Sequence, residues 1–166
     1  MGRWKKGTVK RAIVTPDKHF PLADGPAMEC LVQAIEIVKP DIYIDLGDVG
    51  EWGGCSHWQW NRKKRPPLEY QIPFIDQDIH DVNEGMDQVD KALDKAKCRE
   101  RHMIEGNHDA WMNAFVTENP FLKSDYLFKN AVRLKERKYS YHKNGDFLTI
   151  GKLNFYHGNH YASVNH

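Results

Sequence analysis

Two short apolar strand patterns separated by one amphipathic helix pattern constrain the fold of this chain more than any other feature. The first predicted strand covers residues 10–14 and ends at Thr15-Pro16, because the residue before a proline favours extended geometry. Apolar residues at spacings of three and four then predict a helix, with Pro26 in its first turn and Pro40 just beyond its end. Residues 41–46 predict a second, buried strand. This is a βαβ unit, so we expect the two strands to be parallel neighbours.

The remainder of the sequence predicts one irregular segment, further helices and four more strands. Residues 51–80 show no clear periodicity and are expected to form a loop insertion. Helical spacing resumes at Asp81, and a brief helix is predicted at 110–116. Strands are predicted at 101–104, 138–142, 147–150 and 153–156, with a hairpin turn at Asn144-Gly145 joining the second and third of these. We therefore expect one α/β domain over residues 1–166, with the insertion at about 51–80.

The composition excludes several classes of protein. The formal net charge is +1 over 166 residues, so the chain as a whole is not a polyelectrolyte. No apolar run approaches the roughly 18 residues of a membrane-spanning helix, and we expect no membrane association. Cys30, Cys55 and Cys98 are widely spaced and odd in number, which favours reduced thiols and a cytoplasmic location. The sequence does not determine the oligomeric state.

Potential metal ligands follow four of the predicted strands at the point where each strand ends. These ligands are Asp17, His19, Asp48, Asn107, His108 and His157. In α/β sheets, ligands bind outside the carboxyl ends of the strands, where such loops converge. Carboxylate, amide oxygen and imidazole together suit manganese, iron or zinc. Two cations about 3.5–4 Å apart need an anionic ligand that bridges them, and Asp48 is the predicted bridge.

Four motifs in this order resemble those of the calcineurin-like metallophosphoesterases. They are Asp17-x-His19, Gly47-Asp48-x-x-Glu51, Gly106-Asn107-His108-Asp109 and His157-Gly158, and the resemblance spans residues 13–158. The resemblance implies that Asp17 and His19 bind the first metal, that Asp48 bridges, and that Asn107 and His157 bind the second. It implies two divalent ions, with manganese expected and iron, zinc, magnesium or nickel as alternatives.

The same resemblance implies the catalytic groups and the fold. His108 would hydrogen-bond the phosphate and protonate the leaving alkoxide, with Asp109 orienting it, and Asn107 would also contact the substrate. An imidazole suits this role because its pKa lies near neutrality. The implied fold is a calcineurin-like two-sheet β-sandwich flanked by helices, in four layers ordered αββα.

Two departures from the family pattern affect these expectations. Glu51 stands where the family usually has aspartate, which is a common variation. The later Gly-His-x-His motif is absent, and His157-Gly158-Asn159-His160 has the opposite order. We expect either a fragment whose fold is incomplete at its C-terminus, or a site in which His160 or His166 replaces the missing ligands.

A basic run near the predicted bridge is the candidate for contacts with a nucleic acid. Arg62, Lys63, Lys64 and Arg65 follow Trp52, Trp58 and Trp60. Cations among aromatic residues can follow a phosphate backbone and stack bases. The alternative is a solvated loop whose tryptophans cover a small core of their own.

These features predict an enzyme that hydrolyses a phosphate ester. The preferred substrate class is a phosphodiester, including DNA or RNA, cleaved by two-metal activation of water. The alternatives within enzymes are a small-molecule phosphomonoesterase and a cyclic-nucleotide phosphodiesterase. The alternative from another class is a non-catalytic binding protein on a degraded phosphoesterase scaffold.

Overall fold

A computed structural model describes residues 9–56, 65–122 and 124–158 of the chain. The strands are β1 (Ala12–Thr15), β2 (Ile42–Asp45), β3 (Glu100–Ile104), β4 (Tyr139–His142), β5 (Leu148–Ile150) and β6 (Leu153–Phe155). The α-helices are α1 (Gly25–Val38), α2 (Leu68–Lys95), α3 (Asn107–Glu118) and α4 (Phe128–Ala131), and short 3₁₀ helices cover Gly53–Cys55 and Ser124–Tyr126.

A four-stranded parallel sheet forms the centre of the structure, in the order β1-β2-β3-β4. The predicted βαβ unit is confirmed, because β1 and β2 are parallel neighbours in the register Ile13 to Tyr43. β5 and β6 form a separate antiparallel pair. The predicted mixed α/β class is therefore confirmed. All four carboxyl ends of the central strands lie at one edge of the sheet, where the loops bearing potential ligands begin.

The two faces of the central sheet are covered differently. Tyr43 and Met103 belong to the large core, to which all four helices contribute buried side chains. Ile42 and Ile44 alternate with Tyr43 along β2, so they face the other side, where Leu148 of β5 packs against them. The residues described thus form three layers: helices, central sheet and a small two-stranded sheet.

The prediction for the segment before Asp81 is wrong in one respect. α2 begins at Leu68, so the second half of the expected insertion at 51–80 is helical. Pro73 lies inside this helix, and a proline normally interrupts one because it lacks an N–H donor. Although α2 is long, no helix in the described ranges is also apolar enough to cross a membrane.

The predicted hairpin at Asn144-Gly145 is also wrong. The turn itself is present, since the N–H of Asp146 donates to the carbonyl of Lys143 at 2.9 Å. Gly145 has a positive φ of 88° and Asn144 does not, so the turn is not of the type that joins the strands of a tight hairpin. β4 instead pairs in parallel with β3, and β5 pairs with β6 across Gly151.

Candidate metal centre

The loops that follow β1 and β2 continue the parallel pairing beyond the sheet. The N–H of Asp17 donates to the carbonyl of Gly47 at 3.0 Å, and the N–H of His19 donates to the carbonyl of Asp48 at 3.0 Å. The N–H of Phe20 donates to the carbonyl of Val49 at 2.9 Å. These bonds hold the Asp17–His19 segment beside Asp48.

Three of the predicted ligands have a left-handed backbone conformation. Asp17, His19 and Asp48 have φ values of 47°, 48° and 49°. Such values are uncommon for residues other than glycine. Strained backbone of this kind clusters at functional sites, where the surrounding structure compensates for its cost. The three residues therefore mark the carboxyl edge of the sheet as the candidate site.

Two glycines allow the loops after β2 and β3 to touch backbone to backbone. A Cβ added to Gly106 would lie 2.1 Å from Oδ1 of Asp48 and 2.3 Å from its backbone nitrogen. A Cβ added to Gly47 would lie 2.3 Å from the backbone nitrogen of Gly106. Because the loops are this close, the N–H of His108 in the first turn of α3 donates to Oδ1 of Asp48 at 2.8 Å.

Asp48 is buried and lies between histidines from two different loops. Its Oδ2 is 3.4 Å from Nε2 of His157 and 3.9 Å from Nε2 of His19. Burial alone would raise the pKa of Asp48, but its interactions with His157 and the N–H of His108 lower it. The N-terminus of α3, whose His108 N–H donates to Asp48, also favours a negative charge on this carboxylate, because helix N-termini are electropositive. Asp48 is thus a carboxylate held ionised in a buried place.

His157 has an oxygen acceptor at each ring nitrogen. Nδ1 lies 2.9 Å from the carbonyl oxygen of Leu46, and Nε2 lies 2.8 Å from Oδ1 of Asn107. With Nδ1 donating its N–H to Leu46, a neutral His157 has a lone pair at Nε2 that can bind a cation. The hydrogen bond to Asp48 and the charge of that carboxylate raise the pKa of His157.

His19 is arranged in a similar way, and its partner is a residue to which sequence reasoning gave no role. Nδ1 of His19 lies 2.9 Å from Oε2 of Glu51, while Nε2 faces Asp48. Metal-binding histidines commonly donate one ring N–H to a carboxylate or a carbonyl and use the other nitrogen as the ligand. His19 and His157 both have this arrangement. The position of Glu51 within Gly47-Asp48-x-x-Glu51 was the signal that could have identified it.

The five predicted metal ligands converge. Ligand atoms of Asp17, Asp48 and His157 all lie within 4.8 Å of one another, and Asn107 and His19 contact members of this group. A second group, His19, Glu51 and His108, meets the same criterion beside it. Oxygen and imidazole donors around a shared carboxylate fit a pair of divalent first-row cations.

A third group of potential ligands differs in its setting. His80, Asp81 and Glu84 lie on one side of α2, and His80 and Glu84 are exposed to solvent. Within the described ranges, no loops converge around them as they do around Asp48. We treat them as surface residues and use His80 as a control position.

His108 lies at the open side of the centre. Its Nδ1 is 3.2 Å from the carbonyl oxygen of Glu51 and 3.9 Å from Oε2 of the same residue. Trp111 stacks on the imidazole with a centroid distance of 4.0 Å, and His19 meets it edge-on at 4.8 Å. These contacts fix the ring and engage Nδ1, so Nε2 is the nitrogen left for a ligand.

The predicted role of Asp109 in orienting His108 is wrong. Its fully buried carboxylate accepts hydrogen bonds from the indole N–H of Trp52 at 2.8 Å and from the N–H of Gly106 at 3.0 Å. It also accepts from the N–H of Val49 at 3.2 Å. Burial raises the pKa of Asp109 to about 7. Asp109 therefore caps α3 and joins the two loops, while Glu51 is the carboxylate nearest His108.

A buried ion pair lies beneath the first loop. Lys18, between the two predicted ligands of that loop, places Nζ 2.6 Å from Oδ2 of Asp45 at the end of β2. Both side chains are at most 5 % exposed. Burial alone would lower the pKa of Lys18, but the charge of Asp45 raises it above its usual value. This pair ties the backbone of the Asp17–His19 segment to the sheet.

The predicted substrate-binding run is described only at its last residue. The guanidinium of Arg65 pairs with Oε2 of Glu118 on α3 at 2.5 Å, so this side chain is engaged with the protein. Arg62, Lys63 and Lys64 lie outside the described residues, as do His160 and His166.

Comparison with models of known protein families gave no match, and a search of curated proteins found no relative.

Proposed function

We propose that this chain is a metal-dependent phosphoesterase of the calcineurin-like type, acting on phosphodiesters. The observation that supports this best is the arrangement of His19 and His157 around Asp48. Each histidine is anchored through Nδ1 to an oxygen acceptor and directs Nε2 towards the same carboxylate oxygen. A shared carboxylate between two imidazoles is what a bridged pair of cations requires.

Asp17, His19, Asp48, Asn107 and His157 would hold the two cations. When bound, such a pair supplies Lewis acidity for the attack of water on phosphorus and neutralises the charge of the phosphate. Manganese is the preferred ion on the chemistry of these donors, with iron and zinc next and magnesium or nickel as further alternatives.

His108 would act on the leaving group. Its Nδ1 is engaged by the oxygens of Glu51, and Trp111 holds the plane of the ring. An imidazolium in this place would donate its Nε2 proton to the departing alkoxide, which leaves as the alcohol. General acid catalysis of this kind contributes about 10²–10⁴-fold to a rate.

The fold would belong to the same type of protein. The small β5-β6 sheet against the central sheet corresponds to the start of a second sheet in a two-sheet sandwich. The fourth, helical layer of that sandwich is a proposal that goes beyond the described residues.

The test uses purified protein stripped of metal by a chelator and then supplied with Mn²⁺. We expect manganese-dependent hydrolysis of bis(p-nitrophenyl) phosphate that exceeds hydrolysis of p-nitrophenyl phosphate. Asp48→Asn should abolish both metal binding and hydrolysis, whereas the matched surface variant His80→Ala should retain both. A preference for the monoester would favour the phosphomonoesterase alternative. Two bound equivalents of manganese without any hydrolysis would favour the non-catalytic binding protein.

A further inference from the structure

The edge of the central sheet opposite the candidate metal centre has a pronounced positive charge. The segments that lead into β1, β2 and β3 meet there, because these strands are parallel. Each segment brings cations: Lys10 and Arg11 before β1, Lys39 before β2, and Lys97 and Arg99 before β3. The parallel topology therefore brings these cations together, because each lies in a segment just before one of the three strands.

These five cations line a single cavity of about 330 Å³. Its one carboxylate is that of Asp41, which accepts a hydrogen bond from the N–H of Arg11 at 3.0 Å and lies 3.8 Å from Nε of the same residue. The N–H of Arg11 and the nearby charges of Lys10 and Arg11 lower the pKa of Asp41. Positive charge thus predominates strongly in a concave space, although the chain as a whole has a net charge of only +1.

Helix-end electrostatics explains only part of this cluster. Lys39 caps α1, and Lys97 follows α2, so both interact favourably with a helix C-terminus. Arg99, Lys10 and Arg11 lie on the strand side of the cavity, where no helix end accounts for them. All five side chains are exposed, and no ion pair is seen for Lys39, Lys97 or Arg99 in the described part of the chain.

We propose that this cavity binds the phosphate backbone of a single-stranded nucleic acid. Several cations around one concavity suit a polyanion better than a single phosphate, since each neutralised phosphate adds to affinity by releasing counterions. Among the described residues that line the cavity there is no large apolar side chain, whereas a membrane-binding surface combines its cations with apolar anchors.

A selection of long substrates by this cavity, which rests on the proposed function, follows from its distance to the metal centre. The four residues of β2 and the loops at its ends separate the cavity from Asp48 by on the order of 20 Å at about 3.3 Å per residue. A strand of several nucleotides can reach both places, and a small phosphodiester cannot. The cavity would then lower the KM for oligonucleotides without changing the hydrolysis of bis(p-nitrophenyl) phosphate.

The test measures binding without hydrolysis, so its result does not depend on the proposed enzyme activity. Fluorescence anisotropy of a labelled single-stranded oligonucleotide is recorded in the presence of EDTA over a series of salt concentrations. The test variant is Lys39→Glu/Lys97→Glu/Arg99→Glu. The control, Lys129→Glu/Lys135→Glu/Lys152→Glu, makes the same change in net charge at exposed lysines elsewhere.

We expect the cavity variant to bind at least about 10-fold more weakly. The slope of log K against log salt should fall by about two units, since each single-strand phosphate contributes about 0.7. The control should change binding far less. Equal losses in both variants, no binding by the native chain, or binding to anionic lipid vesicles in place of the oligonucleotide would overturn the proposal. If the glutamate variant unfolds at a lower temperature than the native chain, the test is repeated with Lys39→Asn/Lys97→Asn. Lys39 and Lys97 both have a left-handed backbone, which asparagine tolerates.

Discussion

Nε2 of His157, which follows β6, lies 3.4 Å from Oδ2 of Asp48, which follows β2. The second nitrogen of the same ring is already engaged by the carbonyl of Leu46 at 2.9 Å. The ring is thus fixed on one side and directed at a buried carboxylate on the other. This relationship is the basis of the proposed metal centre.

His108→Ala separates catalysis from metal binding. His108 contacts the centre through its backbone N–H, which donates to Asp48, and alanine keeps that donor. We expect manganese content to stay unchanged while kcat for a phosphodiester falls by about 10²–10⁴-fold, because the general acid is lost. The measurement combines metal analysis with steady-state kinetics. An unchanged kcat would contradict the proposed role of His108. Loss of manganese from the variant would indicate that His108 is a metal ligand.

Gly106→Ala tests the close contact between the loops after β2 and β3. The added methyl would lie 2.1 Å from Oδ1 of Asp48, so the two loops must separate. We expect the free energy of unfolding to fall by about 3 kcal/mol or more, which is at the upper end for overpacking. Metal affinity should fall as well, because Asp48 and His108 move apart.

Gly25→Ala is the matched control for this change. Gly25 lies in the first turn of α1, and apart from its chain neighbours and the backbone of the helix itself no described atom comes within 4 Å of an added Cβ. Alanine there should leave stability unchanged or raise it by up to about 1 kcal/mol. The free energies of unfolding of Gly106→Ala and Gly25→Ala are measured by urea denaturation. Equal values for the two variants would mean that the loops after β2 and β3 are not in contact.

Lys18→Met tests the buried ion pair beneath the first loop. The substitution leaves the carboxylate of Asp45 buried without its cation, which typically costs about 3–5 kcal/mol. Lys18→Met/Asp45→Leu removes both charges and should recover much of that loss. The two single variants and the double variant form a double-mutant cycle, measured by urea denaturation. Additive losses in this cycle would show that the pair has no coupling.

The histidine pair between β3 and β4 predicts a specific loss of stability in mild acid. Nδ1 of His102 lies 3.1 Å from Nε2 of His142. Burial lowers the pKa of His142, and the nearby His102 lowers it further. Below about pH 6.5 the unfolded chain takes up a proton at this residue before the folded chain does. Stability is therefore fully present above that pH and decreases as the pH falls towards the lowered value.

His142→Gln should reduce this pH dependence. Unfolding free energies of the native chain and the variant are compared at about pH 7.5 and about pH 5.5. The carboxylates contribute alike to both proteins, so the difference isolates His142. The native chain should lose more stability between the two values, and parallel losses would contradict the assignment.

Much of the fold could be predicted from the sequence because apolar periodicity and proline positions are local signals. The βαβ unit over residues 10–46 is the clearest case. α2 was missed before Asp81 because Pro73 and several acidic residues obscure its pattern. The spacing Leu68, Ile72, Ile75, Ile79 and Val82 nevertheless alternates four and three, as an amphipathic helix requires.

The predicted ligands were brought together, but their supporting contacts could not be read from the sequence. The resemblance implies that Asp109 orients His108, yet the first turn of α3 directs its carboxylate to Trp52 and Gly106. β4 pairs with β3, which is distant along the chain, and the dipeptide Asn-Gly after β4 does not indicate this partner. Such features depend on tertiary packing, which residue patterns indicate only weakly.

The most direct test of the metal centre is a crystal structure of the manganese-soaked protein with anomalous scattering data. The account predicts two anomalous peaks about 3.5–4 Å apart. Asp48 should lie between them, with Nε2 of His19 at one peak and Nε2 of His157 at the other. A single peak away from Asp48, or no peak at saturating manganese, would contradict it.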